Sequence, residues 1–283
     1  MNFLKKHPKL IAFLIVAVIA VIVIAVLAAT RRDKYTLVYK LNPDGKSYTL
    51  SDYEITRKGW DDGIVKIDLV IPETYEGLSV TAIGDDALQA TGHIMFETVT
   101  IPSSITSIGK GAFASQQWLT EITIPDSVTS VGENAFKGCS SLKSATLPKG
   151  MTEIPAGMFS GNTVLTSVTI PDTVTVIGSG AFSSCSFLQS ITLPNGVKSI
   201  QESAFQGCKK LTSMTIPGDV AYIGNNAFFG CDALTSVTFQ STTGWMRETM
   251  GYKYEIPDAE IANAATAATY LTSTYCAEPW YKN

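Results

Sequence analysis

A β-rich solenoid of 23-residue coils, with one parallel sheet plus short helical turns and a single transmembrane helix in front, is the fold class that three observations predict. Prolines at 102, 125, 148, 171, 194 and 217 recur every 23 residues without an insertion, and Phe113, Phe136, Phe159, Phe182, Phe205 and Phe228 follow them by eleven. Apolar columns hold the same phase: Ile105, Val128, Met151, Val174, Val197 and Val220 three residues after the proline, Ile108, Val131, Ile154, Ile177, Ile200 and Ile223 six after. Leu119, Leu142, Leu165, Leu188, Leu211 and Leu234 lie seventeen after. A chain that keeps one residue type at one phase of a fixed period stacks its coils in register, so each column becomes a ladder down the core. The third observation is Leu10 to Ala29, twenty residues without a charge. At ~1.5 Å rise per residue, that run is long enough to cross a ~30 Å hydrocarbon layer as a helix.

The N-terminal elements follow from charge and hydropathy. Residues 1–9 are a short basic segment with Lys5, Lys6 and Lys9, and 10–30 is the expected membrane helix and signal anchor, flanked after it by Arg31, Arg32 and Lys34. Basic residues on both sides leave the orientation open on charge alone. A cleaved signal peptide is the competing reading, but its apolar core usually spans only 7 to 15 residues, which favours an uncleaved anchor. No cysteine follows Leu27-Ala28-Ala29, which argues against a lipoprotein. Residues 31–71 read as a β cap, with a turn at Asn42-Pro43-Asp44-Gly45 and the alternating run Ile64 to Ile71.

The solenoid is expected over 72–239. From each column leucine to the next proline the chain reads as a short strand, as in Leu165 to Pro171, where Val168 and Ile170 alternate with Ser167 and Thr169. Proline then ends the ladder pairing, and Gly109, Gly132, Gly178 and Gly224, seven after it, supply permissive backbone at the next bend. The Ala-Phe step marks a helical turn that returns the chain. After Phe239 the period stops, and 240–283 reads as an aromatic C-terminal cap with Trp245, Tyr252, Tyr254, Tyr270, Tyr275, Trp280 and Tyr281. Caps are needed because a bare coil end exposes strand edges and core.

The repeat Leu-x-x-Val-x-Ile-Pro-x-x-Val-x-x-Ile-Gly-x-x-Ala-Phe-x-x-Cys resembles the BspA-type leucine-rich repeat, a class found on bacterial surface proteins. The likeness covers roughly residues 70 to 240, with departures at both a first repeat and a middle one. Pro72 lies 30 residues before Pro102, with Tyr75-Glu76-Gly77-Leu78 in the extra length and Leu88 where Phe is expected. In the repeat at Pro148, Met158 stands for Ala and Pro155 for Gly.

Composition excludes several functions. Beyond the apolar run, 18 basic and 25 acidic side chains argue against a nucleic-acid groove. No Gly-x-Ser-x-Gly, His-Glu-x-x-His, P-loop or Gly-x-Gly-x-x-Gly is present, so no catalytic, cofactor-binding or metal residue is assigned. Asn-x-Ser/Thr is also absent. Asp126 and Asp172, one after the repeat proline, read as turn residues rather than a catalytic pair. Cys139, Cys185, Cys208 and Cys231 share a column with Gln116 and Asn162, as expected of reduced thiols bonding backbone or packing as weak hydrophobes; Cys208 pairing with Cys185 or Cys231 is the alternative. Cys276 stands alone.

The candidate ligand face is hydroxylic. Thr123, Thr146, Thr169, Thr192, Thr215 and Thr238 form one outward column, and Glu121, Ser144, Ser167, Ser190, Ser213 and Ser236 form its neighbour. A Thr ladder chosen for β-propensity and solubility is the plainer reading, and an ice-binding array a more remote one. Trp118, Phe187, Tyr222 and Phe229 are candidate aromatic anchors, because they depart from the repeat background. Residues 102 to 239 carry only 7 basic and 8 acidic side chains, so steering by charge is weak.

The apolar run, the repeat array and the missing catalytic motifs predict a non-catalytic protein anchored in the membrane by its N-terminal helix, and the resemblance implies a bacterial surface protein with the repeats outside, in adhesion or cell contact. Its repeat face would bind protein or glycan. The alternative is a structural envelope or spacer protein, without a dedicated ligand, that self-associates through the aromatic C-terminal segment. An enzyme would need a cluster within the caps, for instance Asp258, Glu260 and His93.

Overall fold

A computed structural model describes residues 24–26, 35–55, 65–91 and 94–282. Strands β1 (Ile24–Val26), β2 (Tyr35–Leu41) and β3 (Ser47–Ile55) run antiparallel in succession. Next come β4 (Val65–Val70), β5 (Thr74–Tyr75), β6 (Leu78–Ile83) and β7 (Ile94–Thr100). The coils then alternate two kinds of short strand. One kind is β8 (Ser107–Ile108), β10 (Ser130–Val131), β12 (Glu153–Ile154), β14 (Val176–Ile177), β15 (Ser199–Ile200) and β17 (Tyr222–Ile223). The other is β9 (Glu121–Thr123), β11 (Ser144–Thr146), β13 (Ser167–Thr169), β16 (Ser213–Ile216) and β18 (Ser236–Phe239). The chain closes with β19 (Trp245–Thr249), β20 (Tyr252–Glu255), α1 (Asp258–Ala262), α2 (Ala264–Thr269), a π-helical turn (Tyr270–Thr274) and β21 (Trp280–Lys282).

The transmembrane helix is corrected. Most of residues 1–34 lies outside the described residues, but Ile24–Val26 forms β1, which pairs antiparallel with β2 in the register Ile24 to Tyr39 and Val26 to Leu37. No helix among the described residues is long and apolar enough to cross a membrane. Half of residues 10–29 are Val or Ile, whose branched Cβ suits a strand as well as hydropathy suits lipid, so hydropathy alone does not choose between them.

Two parallel ladders, not one sheet, run along the coils. The second is made of the two-residue strands six positions after each proline, paired as Ile83 to Ile108 to Val131 and as Ile154 to Ile177 to Ile200 to Ile223. The segment expected as one N-terminal unit divides between them: β3 pairs parallel with β6 at the head of this ladder, and β4 pairs parallel with β7 in a separate two-stranded sheet that precedes the other in the same phase. The extra length of the first repeat is the β5–β6 hairpin, turned at Glu76 and Gly77. Leu88 keeps the phenylalanine position and is fully buried.

Between the ladders lies the buried phenylalanine stack. Its rings are 5.1 to 6.0 Å apart, centroid to centroid, and within 18° of parallel. The chain enters and leaves this stretch by turns rather than by a helix. Positions nine and thirteen after each proline have positive φ, for example Asn134 at 58° and Gly138 at 72°. These, and not the glycine at seven, are the permissive bends. That glycine serves close approach instead: a Cβ on Gly132 would lie 2.4 Å from the Lys110 nitrogen in the coil before.

The repeat at Pro148 is where regularity fails. At this phase the other coils donate a backbone N–H to the coil before, as Gly132 does to Ile108 and Gly178 to Ile154, both at 2.8 Å. Pro155 has no N–H to give. The ladder is broken there between β10 and β12, with a cavity of about 90 Å³ lined by Val131, Met151 and Pro155, and the Phe136–Phe159 spacing is the widest, 6.0 Å. Asn162, in the same repeat, is fully buried, and neither of its side-chain amide atoms has a hydrogen-bond partner among the described residues.

Phe182→Ala is expected to cost on the order of 3 to 5 kcal/mol in chemical denaturation, since it empties the middle of the stack, while Thr169→Ala, on the solvent side, costs little. Similar small losses at both sites would contradict the assigned faces. Asn162→Cys should stabilise the fold by about 1 kcal/mol, because a thiol in that column has the Phe136 carbonyl to bond and leaves no orphaned amide. An unchanged or lower Tm would count against that account.

Candidate functional site

The hydroxyl columns follow from period two. In β9, β11 and β13 the middle residues Ile122, Ala145 and Val168 are buried, which turns the residues on either side outward. Register then aligns them: Glu121, Ser144 and Ser167 are direct neighbours, as are Thr123, Thr146 and Thr169, and Ser213 with Ser236 and Thr215 with Thr238 farther along. Ser144 and Ser236 are half-buried and the other ten are exposed. Among the described residues, none of these twelve side chains is hydrogen-bonded or ion-paired within the protein. The first strands extend the face. Thr98 and Thr100 on β7 hold the phases of Glu121 and Thr123, with Asp68 and the exposed Val70 beside them on β4, and the Thr98 hydroxyl donates to Asp68 Oδ1 at 2.6 Å. The 23-residue spacing from Thr100 to Thr123 was the available signal; Phe96, standing where a leucine was sought, hid it.

The face is interrupted at Ser190 to Leu193. Ile191 and Leu193 still point into the core, but this segment is not a strand, and its backbone makes no hydrogen bond to the coil on either side. The sheet is split into β9-β11-β13 and β16-β18, and a cavity of about 330 Å³ opens between the coils. It is lined by Ser167, Thr169, Asp172, Ser190 and Thr192, with Val168, Ile170 and Ile191 at its floor. Ser190 and Thr192 therefore stand apart from the rows that the other hydroxyls form.

The four aromatics are not brought together. Trp118 is half-buried beneath Lys66, whose Nζ is 5.0 Å from the ring centroid. Phe187 is 44% exposed and carries Lys210 Nζ at 3.9 Å, three residues before the interrupted segment. Phe229 is 48% exposed. Tyr222 is half-buried in an internal seam: its strand pairs with β21, and its ring lies 5.6 Å from that of Tyr281.

Groups of chemical interest elsewhere have structural partners. Asp126 accepts from the Lys149 N–H at 2.9 Å and pairs with its ammonium at 3.3 Å, tying one coil's turn to the next; that backbone bond leads the causes holding its carboxyl below the ordinary range. Glu260 accepts from the Tyr270 hydroxyl at 2.5 Å and, with burial, pushes that phenol up to about 12. His93 lies outside the described residues, so the cluster with Asp258 and Glu260 is not assembled among those described. No group of three or more His, Cys, Asp or Glu side chains among the described residues is arranged to hold a metal ion.

The cysteine column is a row of donors. Cys139, Cys185, Cys208 and Cys231 are buried free thiols whose Sγ atoms donate to the carbonyls of Phe113, Phe159, Phe182 and Phe205 at 3.1 to 3.3 Å. Gln116 does the same work twice, donating to the Leu88 carbonyl at 2.7 Å and accepting from the Phe96 N–H at 2.9 Å. Burial pushes the Cys139 and Cys185 thiols up to about 12, so they are poor nucleophiles. Cys208 is raised too, first by the hydrogen bond with Cys231 and then by burial.

A family model described as the BspA type leucine rich repeat region matches in six copies, across residues 81–208 and 152–266. A leucine-rich repeat protein of T. pallidum is 29% identical with a TM-score of 0.59, over 70% of this chain and 87% of that one. A leucine rich cell surface protein from Faecalibacterium prausnitzii is 31% identical with a TM-score of 0.60, over 83% of this chain and 59% of that one. A leucine-rich repeat protein from Eubacterium ventriosum is 25% identical with a TM-score of 0.58, over 80% and 56%. The chain thus spans less than two thirds of the length of the last two. No curated protein matches it.

The thiol column sets an alkaline limit. Between the ordinary thiol value of 9.0 and about 12, the unfolded chain loses the Cys139 and Cys185 protons while the folded chain keeps them. The unfolded state then binds fewer protons, so this stability is complete below about pH 9 and is lost as pH rises toward 12. Urea denaturation between pH 7 and 11 should show the decline beginning near pH 9, and an alkylating reagent should modify Cys276 alone until the protein unfolds. A flat profile, or labelling of the column in the folded state, would overturn the assignment.

Proposed function

The chain belongs to the BspA-type leucine-rich repeat family, and from that premise we propose that it is a non-catalytic surface protein that binds another protein through its hydroxyl face, in adhesion or cell contact. The observation that carries this reading is a set of twelve side chains that have no partner among the described residues, ten of them laid out in register in two groups of rows on a scaffold stacked ring upon ring, with Ser190 and Thr192 at the cleft between the groups. Serine and threonine lose little rotamer freedom on binding, which keeps the entropic cost of docking on such a face low. The cleft at Ser190 to Leu193 is the part of the face able to receive a projecting side chain, and anchors seated in such pockets dominate interface energies. Surface placement is supported by the likeness to the F. prausnitzii cell surface protein.

With seven basic and eight acidic groups between 102 and 239, association should be little steered by charge, and its rate nearly independent of salt. The full chain, probed against a panel of purified extracellular proteins and a glycan array, should bind a protein. Thr169→Arg and Thr192→Arg, on the two walls of the cleft, should weaken that binding roughly tenfold or more, while Ser130→Arg on the other ladder leaves it unchanged. Binding to glycans alone would replace the proposed partner class, and equal loss in all three variants, or in none, would remove the face from the argument. Protease added to intact cells should digest the repeats; protection until lysis would overturn the surface placement.

A further inference from the structure

Strand β20 is the outer edge of the seven-stranded sheet β12-β14-β15-β17-β21-β19-β20, paired among the described residues with β19 alone. Its hairpin turns at Met250 and Gly251, with φ of 51° and 80°, the two left-handed residues of a tight two-residue turn. In such a hairpin the flanking residues Thr249 and Tyr252 form a hydrogen-bonded pair, and bonding alternates from there. Tyr252 and Tyr254 therefore direct their N–H and C=O groups toward β19, and Ile256 donates to the Trp245 carbonyl at 2.9 Å in the same sequence. The N–H and C=O groups of Lys253 and Glu255 face outward. All four residues of β20 are exposed, Tyr252 by 69% and Tyr254 by 43%, so this edge presents both backbone bonding groups and aromatic surface.

We propose that β20 is a self-pairing edge, joining two copies of the chain antiparallel about a two-fold axis at Tyr254. Directly opposed residues in an antiparallel pair share a face, so a two-fold axis must set one residue opposite itself. Centring on Lys253 or on Glu255 sets like charges against each other. Centring on Tyr254 sets Lys253 opposite the partner's Glu255 and Glu255 opposite the partner's Lys253. The outward backbone groups of these residues then exchange four hydrogen bonds, and Tyr254 faces its own copy at the close, non-hydrogen-bonded position. Centring on Tyr252 keeps the bonding phase but sets Lys253 opposite the turn at Gly251, so the register at Tyr254 alone joins charge complementarity to bonding phase and aromatic contact. The inference is independent of the hydroxyl face, which lies on the other ladder of the coils.

The test uses the full chain with Cys276→Ser as background, since the other cysteines are buried. Residues opposed at a non-hydrogen-bonded position lie ~4.5 Å apart at Cα, within disulfide reach, so Tyr254→Cys should give a disulfide-linked dimer under mild oxidation. Tyr252→Cys, opposite the partner's Ile256 in this register, should give at least roughly tenfold less. Adding Lys253→Glu or Glu255→Lys to Tyr254→Cys should each suppress the dimer by a similar factor, and mixing those two proteins should restore it, because each then meets the opposite charge. Equal cross-linking at 252 and 254, no dimer at 254, or failure of the mixture to restore what the single charge reversals remove would each overturn the proposal.

Discussion

The stack of six phenylalanines sets the distance from one coil to the next, and the rest of the molecule is built around that distance. Ring centroids 5.1 to 6.0 Å apart and nearly parallel lie a little wider than the ~4.8 Å between paired strands, a difference that an offset of each ring over the next accommodates while both ladders bond. A column spacing that never varies is what lets every coil repeat the same accommodation. The cysteine thiols then give the carbonyls of Phe113, Phe159, Phe182 and Phe205, which no ladder reaches, a second hydrogen bond beside the turn N–H each already accepts.

Where the column chemistry changes, the consequences are local. Pro155 deletes one coil-to-coil bond, the neighbouring ladder ends, and the rings on either side of it spread, yet Phe159 and Phe182 resume the stack at once. On the opposite ladder the interruption comes one to two coils later, at Ser190 to Leu193, while β14 and β15 stay paired behind it. One ladder holds the coils together while the other opens. A solenoid with two ladders can therefore carry a cleft on one side without coming apart, because each coil contacts its neighbours on more than one edge.

Much of this was legible in the sequence because the period is invariant: the buried columns, the alternation of the face and the free thiols all follow from phase. The second ladder was not, since two residues are too few to display alternation, and its isoleucines read simply as core. The glycine column was read by its commonest use, backbone freedom, whereas the structure uses it for contact between backbones and assigns the left-handed bends to Asn134, Ser203 and Asn226 among others. Thr98 and Thr100 were lost because Phe96 replaced the leucine that marks each strand's start. Within the run expected to span a membrane, the three described residues Ile24–Val26 form a strand, as hydropathy measures transfer from water and not which apolar neighbour receives the segment.

The two ends of the array meet the same problem in different ways. At the N-terminal end the first coil's two strands each receive a partner, β3 on β6 and β4 on β7. At the C-terminal end, β21 crosses β17 antiparallel, and Trp245 and Trp280 bury themselves against Phe239 below it. Reversal of direction stops the parallel ladder from adding further coils of the same kind, but it does not remove the edge; it moves the edge outward through β19 to β20. An edge displaced from the core is freed from the constraints of the repeat, and its residues can be chosen for what they pair with. Lysine and glutamate two apart on that strand exclude the registers that oppose like charges and leave one that does not, so the strand that ends the fold also carries the information for a specific contact.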